Sequence, residues 1–171
     1  METIKVANPE VNAKSNKWDI RQSAEVKVKK VLDGHFEADI KLPEYMHGDD
    51  ACFDFYAPEK YVIPPASMAT KVRTGLAFEI PKGWHMQLYM RSSYGAKRTL
   101  RMSNGTGIID SGYRGEVIGM FDNDGCNPEI IEKGERFMQG MLMKNTQVTF
   151  KEVDTLSKTG RGDGGLGSTG R

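Results

Sequence analysis

The sequence predicts a mostly β protein, built as an antiparallel barrel or jelly roll with one short helix. Two observations support this fold class. Short apolar or alternating runs recur from about residue 25 onward, and Gly, Pro, Asn and Asp residues separate them. Sustained helical periodicity is hard to find anywhere in the chain. Many short strands at regular spacing are typical of antiparallel barrels and jelly rolls.

The first strand is predicted at Val26-Lys-Val-Lys-Lys-Val31, which alternates with period two as a half-buried strand does. Further strands are predicted, in order, over residues 51–56, 68–73, 75–80, 85–90, 115–121, 137–143 and 147–153. The best candidate for a helix is short and covers residues 93–99, directly after an Arg-Ser-Ser sequence. We find no internal repeat.

The two ends differ from the middle in composition. Residues 1–24 are polar and form an N-terminal extension of unassigned purpose, which could serve a protein partner. Residues 157–171, called the tail, are rich in glycine and have almost nothing to bury, so we expect a mobile segment that a ligand could order. The predicted core is therefore residues 25–156.

Bulk composition restricts the class of protein. The chain has 171 residues, enough for one domain, and a formal net charge of +1. That charge balance gives no field for binding nucleic acid or an acidic membrane surface. Two cysteines without a CxxC pair exclude a disulfide framework and suit a reducing cytoplasm. No apolar run is long enough to span a bilayer, and the amino terminus lacks the features of a signal peptide, so we expect a cytoplasmic location.

Two segments suggest chemistry but also have ordinary structural interpretations. Arg91, Ser92 and Ser93 could form a phosphate site at a helix start, or Arg91 could be a surface residue beside a serine N-cap. Residues 107–116 read as two strands joined by a tight Asp-Ser-Gly turn. Asp110 could be a functional carboxylate there or simply the residue that initiates the turn of a plain hairpin.

Two further segments lie nearer the carboxyl end. In Gly134-Glu-Arg-Phe-Met-Gln139, Glu135 and Arg136 could form a surface ion pair, with Gln139 facing solvent. In the tail, glycines at 160–170 would let successive backbone N–H groups turn toward one anion, with Arg161 adding charge. A flexible linker is the alternative for the tail.

Together and in this order, these segments resemble the five motifs of the trimeric dUTPase family, over roughly residues 25–170. The motifs correspond to Asp50-Ala-Cys-Phe-Asp54-Phe, Arg91-Ser-Ser, Asn104 with residues 107–116, Gly134–Gln139 and the Gly-rich tail. The resemblance implies a β-clip, jelly-roll-like antiparallel barrel that forms a homotrimer, with each active site assembled from three subunits. It also implies Mg²⁺-assisted water attack on the α-phosphorus of dUTP. The products are dUMP and pyrophosphate. Removal of dUTP by this reaction keeps uracil out of DNA, and the dUMP supplies dTTP synthesis.

The resemblance also implies roles for individual residues. Asp110 resembles the base that deprotonates the attacking water, and Gln139 its partner in holding that water. Tyr113 resembles the residue whose ring packs on the deoxyribose and excludes a 2′-hydroxyl. The other implied ligands are Asp54 for Mg²⁺ through water; Arg91, Ser92 and Ser93 for phosphate; Asn104, Gly107, Ile108, Ile109 and Ile118 for the nucleoside; and Arg161, Leu166, Gly167, Ser168 and Thr169 in the closing tail.

Elementary chemistry agrees with these roles. A triphosphate carries about four negative charges, so cations must neutralise it before water can approach the α-phosphorus. General-base help from a carboxylate contributes roughly 10² to 10⁴ in rate. Two residues depart from the family pattern: Leu166 replaces an aromatic ring that stacks on uracil, and Cys52 replaces a glycine.

Three alternatives stay open from sequence alone. The related dCTP deaminases need a glutamate about ten residues after the equivalent of Asp110, where this chain has Met120. A second alternative is a nucleotide-dependent binding or signalling protein, in which dUTP only orders the tail. The third is a 5-substituted deoxyuridine triphosphate as the substrate, since Leu166 is smaller than an aromatic ring.

Overall fold

The computed structural model describes residues 3–4, 24–34 and 40–165. Within those ranges the strands and the helix are, in chain order, β1 (Thr3–Ile4), β2 (Val26–Lys30), β3 (Phe53–Tyr56), β4 (Tyr61–Ile63), β5 (Ser67–Glu79), β6 (Trp84–Met90), α1 (Ser92–Lys97), β7 (Leu100–Met102), β8 (Gly107–Asp110), β9 (Glu116–Asn123), β10 (Glu129–Ile131) and β11 (Arg136–Lys144). In the described part of the chain, no helix is long and apolar enough to cross a membrane.

The strands form two sheets and a two-stranded ribbon, and every pairing between them is antiparallel. Sheet A has the order β1-β2-β5-β9-β7, and sheet B has the order β3-β11-β6-β8. The ribbon joins β10 to β4. Neither sheet closes into a ring in the described residues, so the molecule is a jelly-roll-like sandwich rather than a closed barrel.

Both sheets contribute to one apolar core. Phe55 of sheet B packs edge-on against Phe78 of sheet A, with ring centroids 5.9 Å apart. Phe121 of sheet A and Phe137 just beside it in sheet B make a second such pair at 5.9 Å. Edge-to-face geometry is favoured because the positive ring edge meets the negative ring face. The predicted mostly β, jelly-roll-like fold is confirmed.

Alternation along β6 divides sheet B into two faces. Met86 and Leu88 are buried in the core, whereas residues 85, 87 and 89 point the other way and are half-buried. We call that second surface the outer face of sheet B. Cross-strand pairing extends it to Asp54 on β3, Gln139 on β11 and Asp110 on β8.

Two predicted strands are in fact one. The predicted strands 68–73 and 75–80 fall, apart from residue 80, in the single strand β5, and its pairing register with β9 shifts between Arg73 and Ala77. Gly75 has φ +70°, a left-handed conformation that glycine adopts at little cost. The strand therefore bulges at Gly75 instead of ending there.

The prediction of a hairpin over residues 107–116 is wrong. β8 pairs with β6 in sheet B, and β9 pairs with β5 and β7 in sheet A. The Asp-Ser-Gly turn thus carries the chain from one sheet to the other, a change of partner that local sequence does not encode. The residues of this turn, 110–115, are called the Asp110 turn below.

The strand predicted over residues 147–153 is also absent, although the residues alternate as a strand would. A strand needs a hydrogen-bonding partner, and this segment has none within the described part of its own chain. Four other strands, β1, β4, β7 and β10, are not predicted from the sequence, because two or three residues are too few to show a period. The helix predicted over 93–99 is found at Ser92–Lys97.

Candidate active site

A buried carboxylate held by two arginines forms one half of the candidate site. Asp54 is 8% exposed on the outer face of β3, since its neighbours Phe53 and Phe55 point into the core. Its Oδ1 lies 3.0 Å from Nε of Arg91, and its Oδ2 accepts a hydrogen bond from Arg136 at 3.0 Å. We call these three residues the arginine corner. One carboxylate between two guanidiniums leaves a net positive charge, which suits an anionic ligand.

The arginine corner opens onto a cavity of about 370 Å³ that Ser92 and Gln139 also line. Ser92 opens α1, and Ser93 follows it on the same exposed turn. Gln139 reaches the cavity because it is the cross-strand neighbour of Asp54 on β11. Four polar side chains with predicted roles therefore line one cavity together with Arg136: Asp54, Arg91, Ser92 and Gln139.

The Asp110 turn forms the other half of the candidate site. Asp110 is exposed at the end of β8, and its carbonyl accepts a hydrogen bond from the Tyr113 N–H at 3.1 Å. The Arg114 guanidinium donates to the carbonyls of Ser111 and Tyr113 at 2.7 and 2.8 Å. These bonds fix the turn from within, so Asp110 and Tyr113 project from a defined backbone.

The two halves lie at opposite ends of β6. Asp110 is the cross-strand partner of His85, whereas the arginine corner lies beyond Met90 at the other end of the strand. From residue 85 to residue 91 a strand extends about 20 Å, at roughly 3.3 Å per residue. Gln139 pairs with Tyr89, so it lies about 13 Å along the strand from Asp110 and on the opposite side of β6. No side chain bridges that distance. The structure therefore does not bring Asp110 and Gln139 together within one chain.

The nucleoside-binding residues of the prediction divide between the two sheets. Asn104 lies in the turn between β7 and β8, and its carbonyl accepts from Thr106 N–H at 2.7 Å. Ile108 is 53% exposed on the outer face of sheet B, whereas the Ile109 side chain packs against the core. Ile118 lies on β9 in sheet A, where it pairs with Arg73.

Gly107 is buried against the side chain of Leu88, and a Cβ at position 107 would lie only 3.0 Å from the Leu88 Cβ. The absence of a side chain lets β8 approach β6 closely. This position therefore offers a ligand its backbone and not a side chain.

Of the ligands predicted in the tail, Arg161 lies among the described residues. It is exposed, and its Nε donates to the Gly164 carbonyl at 2.9 Å in a local turn. The predicted ligands Leu166, Gly167, Ser168 and Thr169 lie outside the described residues.

Sequence reasoning missed the role of Arg136. The suggested ion pair between Glu135 and Arg136 is wrong: Glu135 binds Arg98 at 2.6 Å, and Arg136 binds Asp54. Antiparallel pairing of β3 with β11 sets Arg136 opposite Tyr56, from where its side chain reaches Asp54, a residue 82 positions away in sequence. The sequence signal for Arg136 is its position in the Gly134–Gln139 segment, directly before the strand predicted over residues 137–143.

Cys52 also lines the cavity. Partial burial raises the pKa of its thiol above the ordinary value, and the nearby carboxylates of Asp54 and Asp50 raise it further. A neutral thiol at this position does not compete with an anionic ligand for the arginines.

Comparison with known proteins agrees with this geometry. The dUTPase family model matches residues 38–170. The deoxyuridine 5′-triphosphate nucleotidohydrolase of Rickettsia bellii is 39% identical over 147 residues, which cover 85% of this chain and 95% of the relative. A variant of the Staphylococcus bacteriophage 80alpha dUTPase, solved with dUpNHpp, superposes with a TM-score of 0.75 at 26% identity, covering 85% of this chain and 98% of that one.

A second phage structure shares the fold. The dUTPase of phage phi11 of S. aureus has a TM-score of 0.65 at 21% identity, covering 76% of this chain and 97% of that one. That structure reveals the coordination of a structural Mg(II) ion.

Proposed function

The chain belongs to the dUTPase family and hydrolyses dUTP to dUMP and pyrophosphate, and we propose that it does so at sites assembled between the subunits of a homotrimer. The observation that carries the proposal is the separation of the arginine corner from the Asp110 turn along β6. Both halves face outward on the same sheet. A site that contains both requires the corner of one subunit and the turn of another.

Exposed apolar side chains support association. Residues 145–165, called the arm, leave β11 after the Asn145 N–H has bonded to the Gly83 carbonyl at 2.8 Å. Phe150 is 92% exposed and Leu156 is 87% exposed, and Val148 and Val153 of the same segment are also exposed. Such a series of apolar side chains is unfavourable in water, and burial against a neighbouring subunit removes it from solvent. The arm would then carry Arg161 toward that neighbour.

In the proposed reaction the arginine corner holds the phosphates. Arg91 and Arg136 contribute one positive charge beyond that neutralised by Asp54, and the hydroxyls of Ser92 and Ser93 donate hydrogen bonds. These contacts align the α-phosphorus for in-line attack and stabilise the charge that develops on it. The tail, with Arg161 and residues 166–169, closes over the nucleotide and excludes bulk water.

Gln139 and Asp110 act on the attacking water. Gln139 lies beside the phosphates and orients the water, and Asp110 of a neighbouring subunit accepts its proton as the new P–O bond forms. The bond to the β-phosphate oxygen then breaks, and pyrophosphate leaves. Proton transfer to a positioned carboxylate contributes about 10² to 10⁴ in rate.

The residues present fit Mg²⁺ that arrives with the nucleotide. In the described ranges no cluster of three or more acidic, His or Cys side chains could hold a metal alone. Magnesium characteristically keeps several waters and is held by one or two carboxylates with substrate phosphates. Asp54, with lone pairs left beyond its two arginine contacts, would hold it through water. When bound, the ion neutralises part of the triphosphate charge.

Selection of the nucleoside is assigned to the Asp110 turn and its surroundings. The Tyr113 ring packs on the deoxyribose and leaves no room for a 2′-hydroxyl. Asn104 and the backbone of residues 107–110 read the uracil edge. Ile108, Ile109 and Ile118 are assigned to the apolar surroundings of the nucleoside. The Ile109 side chain packs against the core, so within its own chain Ile109 can offer a nucleoside only its backbone.

A substrate panel tests the proposed function. The purified protein is incubated with dUTP, dCTP, dTTP and UTP in the presence and absence of Mg²⁺, and both pyrophosphate and ammonia are measured. We expect pyrophosphate from dUTP only, at a rate that falls when the metal is removed. Ammonia from dCTP would support the deaminase alternative, and binding of dUTP without pyrophosphate release would support a purely signalling protein.

A further inference from the structure

The Tyr113 side chain folds back onto the start of β9. Its hydroxyl donates to the backbone carbonyl of Glu116 at 3.0 Å. The ring lies across Gly115 so closely that a Cβ at position 115 would collide with the hydroxyl. Because the side chain is 45% exposed and otherwise projects from the turn, this hydrogen bond is what fixes the plane of the ring.

The carbonyl that receives this bond belongs to a residue with an anchored side chain. Glu116 is the first residue of β9, and its side chain is only 10% exposed. Its Oε2 accepts from Nε of Arg73 at 2.8 Å, and its Oε1 accepts from the Gly75 N–H at 2.7 Å. Arg73 in turn donates to Asp33 at 2.6 Å.

The β-bulge in β5 explains why a carboxylate is placed here. The register shift between Arg73 and Ala77 takes the Gly75 N–H out of the ladder with β9. An unpaired backbone donor is costly near the core, and the Glu116 carboxylate satisfies it. Thr74 adds a second side-chain link at the bulge, since its hydroxyl donates to the Val117 carbonyl at 2.7 Å. The start of β9 is thus held by side chains where backbone pairing is interrupted.

We infer that Glu116 is a positioning residue for sugar selection: its carboxylate fixes the start of β9, and the Glu116 carbonyl fixes the Tyr113 ring against the 2′ position of the nucleotide. The inference rests on the proposed function, in which Tyr113 packs on the deoxyribose. Glu116 itself does not touch the substrate. Loosening the anchor frees the ring to move and makes room for a ribose 2′-hydroxyl.

The test compares discrimination between dUTP and UTP in Glu116→Gln and Glu116→Ala. The amide has one acceptor oxygen where the carboxylate has two, so Glu116→Gln keeps either the Arg73 bond or the Gly75 bond. The measured quantity is kcat/KM for dUTP divided by kcat/KM for UTP. We expect this ratio to fall about tenfold in Glu116→Ala and less in Glu116→Gln, with kcat for dUTP within about threefold of the wild type.

This ratio distinguishes positioning from a merely structural role. A variant that is partly unfolded loses active enzyme equally for both substrates, so the ratio does not change. Glu132→Gln is the matched control, because Glu132 also forms an ion pair, with Lys60 at 3.0 Å, and lies between β10 and β11 and not beside the Asp110 turn. We expect its ratio to equal that of the wild type.

Tyr113→Phe keeps the experiment decisive if Glu116→Ala does not fold. It removes only the hydroxyl at the other end of the same hydrogen bond, and we expect its ratio to fall in the same direction. Combining it with Glu116→Gln should lower the ratio by less than the product of the two single effects. An unchanged ratio in Glu116→Gln and Tyr113→Phe, with a wild type that discriminates, overturns the inference. Failure of the wild type to release pyrophosphate from dUTP contradicts the proposed function instead.

Discussion

Asp110 projects from the end of β8 into solvent, and the chemistry assigned to it depends on its carboxylate alone. Asp110→Asn preserves the shape of the side chain and the backbone of the turn. We expect kcat for dUTP to fall by at least about 10² with little change in KM, because the proton acceptor is needed in the transition state and not for binding. Steady-state kinetics with pyrophosphate detection measure this. A kcat near that of the wild type would mean that another group is the base.

Cys52 provides a pH-dependent test of the cavity beside the arginine corner. Its raised pKa leaves less thiolate at neutral pH than an ordinary cysteine has, and thiolate is the reactive form. In a Cys126→Ser background, we expect alkylation of Cys52 by iodoacetamide to be slow at pH 7 and to accelerate as the pH rises through the alkaline range. Mass spectrometry follows the reaction, and dUTP should slow it. Equal rates at neutral and alkaline pH would show that the thiol is not shielded.

At the scale of residues, sequence reasoning finds candidates where one local segment carries the signal, and their roles stay predictions. Asp110 and Tyr113 lie in one turn and the Arg-Ser-Ser sequence lies in another segment, and each of the two segments has a local signature. Arg136 was missed because its partner, Asp54, lies on another strand, and only cross-strand pairing places the two side chains together. The Glu116 anchor is hidden for the same reason, since it depends on a bulge in β5.

At the scale of elements, the contact between β3 and β11 positions the arginine corner. Gly140 on β11 lies against the rings of Phe53 and Phe55, and a Cβ at position 140 would come within 2.6 Å of Phe53. We expect Gly140→Ala to lower the free energy of unfolding by about 2 kcal/mol, because the core has no room for the methyl group. Gly160→Ala is the control, since no atom lies within 4 Å of a Cβ at that position. Equal urea midpoints for the two variants would contradict this packing.

The tail is a second element with a separable role. Deleting residues 158–171 removes Arg161 and the glycine-rich sequence but leaves the described strands intact. We expect a folded protein of unchanged oligomeric state whose kcat/KM for dUTP falls by at least about 10², because the closed site is lost. Light scattering and kinetics together measure this. An unfolded product would show that the tail is structural.

The elements that the sequence predicts well are those with a strong period. Along β2 and β6, buried residues alternate with more exposed ones, and both strands are present in the structure. The segment at 147–153 shows the limit of this reasoning, because it alternates equally well and forms no strand in its own chain. A period of two indicates that a segment is able to form a strand. Whether another strand lies beside it depends on the tertiary and quaternary structure.

At the scale of the whole molecule, one observation connects the fold to the assembly. The outer face of sheet B carries Asp54 and Gln139 at one end and Asp110 at the other, and β6 between them is paired with a strand on each side. No rotation of side chains closes that separation. In the proposed homotrimer, closed cyclic symmetry repeats the same contact between each subunit and the next, so every site would receive both halves.

Complementation between two inactive variants measures this most directly. Asp110→Asn and Arg91→Met are each expected to be inactive as pure proteins, and equal amounts are unfolded together and refolded. If Asp110 and Arg91 of one site come from different subunits, about a quarter of the sites in the mixed trimers contain both native residues, and about a quarter of the wild-type activity returns. If both residues served the same site from one chain, the mixture would be as inactive as its components, and the shared site would be disproved.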